Sequence, residues 1–214
     1  MFPPFLHAEG KVDTSDPASP APRRNWHDDL VPSDFTIEGL ASYGNYRIFA
    51  AGRDCKLYTS GVEYDRHSWG YLLGARMDYV AEFLPVVLLR EPVVTFPWGA
   101  PVTSARRIVP GIGIVPIGFR MVWRSRSGFK PYLTAKGGFL VFDKKVPATQ
   151  AAYQNFSMQS AMGVQTRLNS RMDLRFGLFS DFHFSNAFMV PDNAGLDVMN
   201  ANFGLTYHLQ RDRH

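Results

Sequence analysis

Residues 156–168, FSMQSAMGVQTRL, alternate in character: Phe156, Met158, Met162, Val164 and Leu168 fall on one side of an extended chain, and Ser157, Gln159, Gly163, Gln165 and Arg167 on the other. Successive side chains of a strand point to opposite faces, so this pattern predicts a β-strand with one apolar face. MDLRFGL (172–178) repeats it, with Met172, Leu174, Phe176 and Leu178 opposite Asp173 and Arg175. VMNANFGLTYHL (198–209) sets Met199, Phe203, Leu205, Tyr207 and Leu209 against Asn200, Asn202, Thr206 and His208, and VPIGFRMVWR (115–124) sets Val115, Ile117, Phe119, Met121 and Trp123 against Gly118, Arg120 and Arg124. YLTAKGGFLV is a weaker version, with Lys136 on the polar side. Strands are predicted near 45–53, 56–66, 74–84, 110–124, 130–142, 155–168, 171–184 and 197–209. Many exceed the roughly five or six residues usual in soluble proteins.

Long strands with one apolar and one charged face suit two architectures. A soluble sandwich or lipocalin-like carrier turns the apolar face inward; a transmembrane barrel turns it toward lipid and needs strands of about nine to eleven residues. Period two does not distinguish inside from outside, but connection lengths help. NSR and SRSGF join strands six to seven and four to five, whereas 85–109, 143–154 and 185–196 follow strands three, five and seven. Short turns alternating with longer loops fit an all-β, eight-stranded antiparallel up-and-down transmembrane β-barrel. A short first hairpin near Arg53-Asp54-Cys55 departs from the trend. Residues 1–43, rich in Pro, Asp and Ser and without sustained periodicity, read as a flexible leader, leaving 44–210 as the barrel domain.

Composition adds exclusions. With 18 glycines, 15 prolines and 14% aromatic residues in 214, the chain suits a β protein better than a helical bundle. Its net charge of +4 is carried by scattered Lys and Arg, which argues against nucleic acid as a partner. The single Cys55 makes neither an internal disulfide nor a cysteine zinc site. No apolar run reaches the length of a transmembrane helix, and prolines followed by Glu9 interrupt any signal-peptide core, so an export signal is not visible in this chain. Trp26, Trp69, Trp98 and Trp123, with Tyr46, Tyr64, Tyr79 and Tyr207, are candidates for interfacial belts. His208 falls on the polar face, as an interior hydrogen-bonding residue rather than a ligand.

The chemistry concentrates in DFHFSNAFMVPDNAGLD, residues 181–197. His183 and Ser185, two apart on one strand, project from the same face, so an imidazole can take the proton of a serine hydroxyl. Asp197, at the start of the next strand, is a plausible carboxylate to orient that imidazole. Asn186 and Asn193, with backbone N–H groups around Gly195, are candidates for donors to an oxyanion. Read as residues alone, His-x-Ser followed by ordinary turn chemistry is the commoner case, a strand end and its loop without catalysis.

FHFSNA and NAGLD, with GFKPYLTAKGGFLVFDKKVP and NFSMQSAMGVQTRL before them, resemble the lipid A 3-O-deacylase (PagL) and acyloxyacyl hydrolase-like family of outer-membrane enzymes over roughly residues 105–209. The resemblance implies an eight-stranded barrel in the bacterial outer membrane that hydrolyses the ester-linked 3-hydroxyacyl chain of lipid A. It makes His183 the general base, Ser185 the nucleophile and Asp197 the acid orienting the base, with Asn186 and Asn193 helping to form the oxyanion hole. Neither metal nor organic cofactor is implied. The partners implied are lipopolysaccharide as substrate and outer-membrane lipid as surroundings, and a homodimer is compatible. Well-known members have Glu where this chain has Asp197, and commonly Pro in place of Ala194. A barrel of the same scaffold without catalysis, in a structural or adhesive role, is the alternative. Arg106, Arg107, Lys144 and Lys145 stand at predicted loop ends, either meeting lipid A phosphates or simply solvated.

One conflict follows from the pattern. Alternation carried on from Met172 to Leu178 sends His183 and Ser185 into the interior, whereas the family's site faces the bilayer. A β-bulge or register change near Phe179 to Asp181 is therefore expected.

Overall fold

The computed structural model describes residues 32–45, 54–93, 101–123, 128–148, 150–186 and 195–209. All belong to the compact unit of residues 31–214, and residues 1–30 lie outside the described residues. Eight long strands, β1 (Ser33–Asn45), β2 (Lys56–Arg66), β4 (Ala75–Pro92), β5 (Arg106–Trp123), β6 (Phe129–Val146), β7 (Ala152–Arg167), β8 (Met172–Ser185) and β9 (Gly195–His208), alternate with turns and loops. The two-residue β3 (Tyr71–Leu72) folds back on the start of β4. Each long strand pairs antiparallel with its neighbours, and β1 meets both β9 and β2 while β2 meets β4, so the sheet closes on itself as a barrel.

The barrel begins earlier than the pattern predicts. Ser33–Asn45, all but its last two residues assigned above to the leader, is β1, and Asp34 to Ala41 pair residue for residue with both β2 and β9. Its outward positions include Gly39 and Ala41 beside Phe35 and Ile37, a weak apolar face that hides the alternation. The predicted strand at 45–53 lies almost wholly outside the described residues. The described part of β1 stops at Asn45 and β2 starts at Lys56, so the hairpin expected near Arg53-Asp54-Cys55 lies mostly outside the described residues. β4 and β6 run on to Pro92 and Val146, which shortens the connections predicted at 85–109 and 143–154. One rim, the turn rim, carries the starts of β1 and β8, the end of β9 and the short connections; the opposite, loop rim carries the rest.

Burial settles which face is outside. Ile37, Ile117, Phe83 and Phe203 are 65, 68, 53 and 55% exposed on the outer wall, while Glu63, Asp65, Arg120 and Arg175 are at most 2% exposed inside. An inward apolar face, as in a soluble carrier, is thereby excluded. The interior has two layers. Toward the turn rim it is ionic: Arg120 donates to Glu63 and Asp65 at 2.6 Å each, Arg175 joins the same two carboxylates, and Lys136 reaches Glu82 at 2.7 Å. His208 Nδ1 meets Asp34 at 2.8 Å in this layer, an interior role as expected. Toward the loop rim the lumen is apolar, filled by Leu57, Leu89, Val109, Phe142, Phe182 and Phe184. The polar interior expected from alternation therefore holds for only part of the barrel. Cys55 is buried against the apolar layer.

Candidate active site

The first half of β8 keeps the sequence's parity, with Asp173 and Arg175 inside and Phe176 outside. Across β7, Val164 pairs with Phe176 and Met162 with Phe179, so Gly177 and Leu178 stand opposite Gly163 alone. Across β9, Gly177 pairs with Asn202 and Ser180 with Asn200, so Leu178 and Phe179 stand opposite Ala201 alone. Two residues against one is a β-bulge. Leu178 and Phe179 both emerge on the outer wall, 51 and 58% exposed, and from there odd and even positions exchange faces. The bulge lies within two residues of where the conflict in the alternation demands it. Its Leu178 carbonyl accepts a hydrogen bond from the Tyr43 hydroxyl on β1.

Two glycines let the backbones close on each other here. A Cβ on Gly177 would collide with Asn202 Oδ1 and crowd the Met162 carbonyl, and one on Gly163 would collide with the Phe176 carbonyl. Beyond the bulge Phe182 and Phe184 turn inward and are fully buried, with ring centroids 6.4 Å apart, and Phe142 packs 5.7 Å from Phe184. Their β9 counterparts Leu196 and Val198 are fully buried beside them. These four apolar side chains pin the register, because a one-residue slip would carry them all to the outer wall.

With that register His183 stands directly across from Asp197, and Ser185 across from Gly195. His183 Nδ1 lies 2.6 Å from Asp197 Oδ1. The Asp197 side chain is inaccessible and that of His183 is 15% exposed, so the pair is screened from water and its attraction strengthened. The shorter aspartate reaches the ring because the two residues are cross-strand partners, whose Cβ atoms are roughly 5 Å apart. Ser185 is on the same face, two residues and roughly 6.5 Å along the strand from His183. On β7 the partners of His183 and Ser185 are Met158 and Phe156, both well exposed on the outer wall. The histidine and serine thus face outward, toward the apolar surroundings of the barrel.

Asn186 takes a different place from that expected of an oxyanion donor. It is fully buried, and its Nδ2 donates to the Gln154 carbonyl at 3.2 Å and to Asn155 Oδ1 at 2.9 Å. The reversed parity that turns Ser185 outward turns its neighbour inward, and Asn186 ties the end of β8 to β7. Gly195 is half-buried at the start of β9; Asn193 and Ala194 lie outside the described residues. Sequence reasoning also missed a groove of roughly 390 Å³ on the outer wall, between Leu133, Ala161, Met162, Phe179, Asp181 and Met199. It is reached along the same face of β8 from His183. Its lining comes from four strands, so no local motif announces it. Among the described residues no group of three or more His, Cys, Asp or Glu is placed to hold a metal ion.

A closed antiparallel barrel with an apolar outer wall and an ionic layer buried in its interior is a bacterial outer-membrane β-barrel, and this one carries a histidine–carboxylate pair and a serine on its lipid side. The sequence model of the lipid A 3-O-deacylase (PagL) family matches residues 70–206. The chain belongs to that family. Among solved structures, that of the outer membrane enzyme PagL aligns with a TM-score of 0.55 at 14% identity, covering 79% of this chain and 97% of the other. Neisserial surface protein A (NspA) aligns with a TM-score of 0.43 at 12% identity, covering 83% and 94%. OprG from Pseudomonas aeruginosa aligns at 0.42 and 12% identity, covering 85% and 97%. No curated protein matches the sequence significantly.

Proposed function

We propose that this outer-membrane lipid A deacylase is a serine esterase that removes the 3-hydroxyacyl chain at position 3 of lipid A, with Ser185 as nucleophile, His183 as base and Asp197 as the group that orients the base. The observation that carries the reading is the 2.6 Å contact of His183 with Asp197 on the lipid-facing wall, two residues from Ser185. A carboxylate on Nδ1 holds the proton there and makes Nε2 the nitrogen that accepts one from Ser185. The Ser185 oxygen attacks the ester carbonyl carbon while its proton passes to His183. The oxyanion formed draws hydrogen bonds from the backbone around Gly195 and from Asn193; Asn186 contributes by holding the end of β8. The carbon–oxygen bond to the sugar then breaks, His183 protonates the departing sugar oxygen, and an acyl-serine remains. Water attacks the acyl carbon and gives a proton to His183, which passes it to the Ser185 oxygen as the acyl–serine bond breaks, releasing the 3-hydroxy fatty acid.

A single fatty chain fits the groove beside the site, and the apolar wall admits the substrate from the bilayer plane. Short turns of such barrels face the periplasm and longer loops the exterior, so the loop rim and Ser185 belong to the leaflet in which lipid A resides. Every side chain invoked comes from one chain, so the reaction needs no second subunit.

The test is release of 3-hydroxy fatty acid from purified lipid A by the barrel in detergent, with the remaining ester positions read by mass spectrometry. Ser185→Ala and His183→Asn are each expected to lower kcat by about a thousandfold or more, with heat-modifiable gel migration preserved. Equal release by parent and variants would instead support a barrel without catalysis.

A further inference from the structure

Lys56 opens β2 directly across from Arg90 on β4. Both side chains are exposed and both belong to the outer wall at the loop rim. Like charges directly opposite each other on a ladder repel, so the pair is costly unless an anion lies between them. Arg106, the first residue of β5, brings a third positive charge and pairs with Asp54. The Asp54 carboxyl is held below its usual range, first by the hydrogen bond from Arg106 and then by the charges of Arg106, Arg90 and Lys56. Three cations thus stand against a single exposed carboxylate, and the cluster keeps a net positive charge.

Next down the wall comes apolar surface. Tyr58 and Leu88 pair immediately inside Lys56 and Arg90, Val86 and Ile112 are 44 and 53% exposed, and Ile108, level with Arg90, is 61% exposed. Cations at the rim over an apolar wall match a lipid whose anionic head lies at the rim and whose chains run down the barrel. A guanidinium fork beside an ammonium suits phosphate oxygens.

We propose that Lys56, Arg90 and Arg106 bind the phosphorylated headgroup of a second outer-leaflet lipid, on the side of the barrel opposite Ser185. β4 is four strands from β8 whichever way the barrel is followed. At about 4.8 Å per strand that is roughly 19 Å of wall, too far around for the headgroup of a lipid held at Ser185.

Native mass spectrometry in mild detergent tests this by counting lipid A bound to the Ser185→Ala barrel, in which turnover is silenced and the count does not depend on catalysis. Adding Lys56→Ala and Arg90→Ala is expected to remove one bound lipid A per barrel. Lipid A stripped of its phosphates is expected not to fill that place, and inorganic phosphate at the same concentration not to displace the lipid. In the chain with Ser185 intact, the same two alanines are expected to leave deacylation within twofold. Lys56→Arg with Arg90→Lys, which keeps both charges, is expected to retain the lipid. An unchanged count in the alanine variant, equal binding of phosphate-free lipid A, displacement by inorganic phosphate, or loss in the charge-preserving variant would each overturn the proposal.

Discussion

Asp197 is one methylene shorter than the glutamate of well-known relatives, and its position across the ladder from His183 removes the disadvantage. Replacing it with Asn keeps the shape but favours the wrong imidazole tautomer; Asp197→Asn is expected to cut kcat about ten-thousandfold, read in a lipid A hydrolysis assay. Asn186 has a different dependence, because its amide stitches β8 to β7 out of reach of the outer wall. Asn186→Ala leaves the Gln154 carbonyl and Asn155 without that donor, at a cost of about 1–3 kcal/mol, which a lowered urea midpoint of the detergent-solubilised barrel would register. His183, Ser185 and Asp197 stood out as candidates in the sequence by residue type and close spacing, and the roles proposed for them come from the family resemblance; the contact of His183 with Asp197 is what the structure adds. The place of Asn186 was not legible there, since it depends on which parity β8 has after residue 179.

At the scale of the element, β8 is two half-strands of opposite parity joined by a bulge. A continuous strand cannot send Arg175 into the ionic interior and also turn His183 to the lipid. The bulge depends on close backbone approach at Gly163 and Gly177, and Gly177→Val is expected to destabilise the barrel by about 1–3 kcal/mol through overpacking against Asn202 and the Met162 carbonyl. Denaturant unfolding measures the loss, and activity should fall with it as the His183–Asp197 register loosens. Deleting Leu178 is a sharper test. It restores simple alternation, drives Phe182 and Phe184 toward lipid and carries His183 and Ser185 inward; hydrolysis should vanish even in molecules that still show heat-modifiable migration. The break in the pattern at Leu178 and Phe179 was readable in advance, because two adjacent apolar residues cannot both face out of an unbulged strand.

Across the whole molecule, the ionic layer closes the lumen near the turn rim. Arg120 and Arg175 clamp Glu63 and Asp65, and Lys136 joins Glu63 to Glu82. Removing one cation strands buried carboxylates, so Arg175→Met is expected to cost about 3–5 kcal/mol, read as a lower unfolding midpoint in urea. The site lies in the other layer, backed by packed aromatic rings instead of charges. By itself the sequence determined the long strands, the single apolar face of most of them, the family and the side chains suited to ester hydrolysis, because period two and local motifs act over a few residues. β1 escaped it, since glycine and alanine dilute the outward face of Ser33–Asn45 and only pairing with β2 and β9 makes that segment a strand. Only the tertiary structure decided which face meets lipid, how the sheet closes and how Lys56 comes to stand beside Arg90. Alternation is the same read from either side, and cross-strand neighbours are fixed by registers summed around a closed ring.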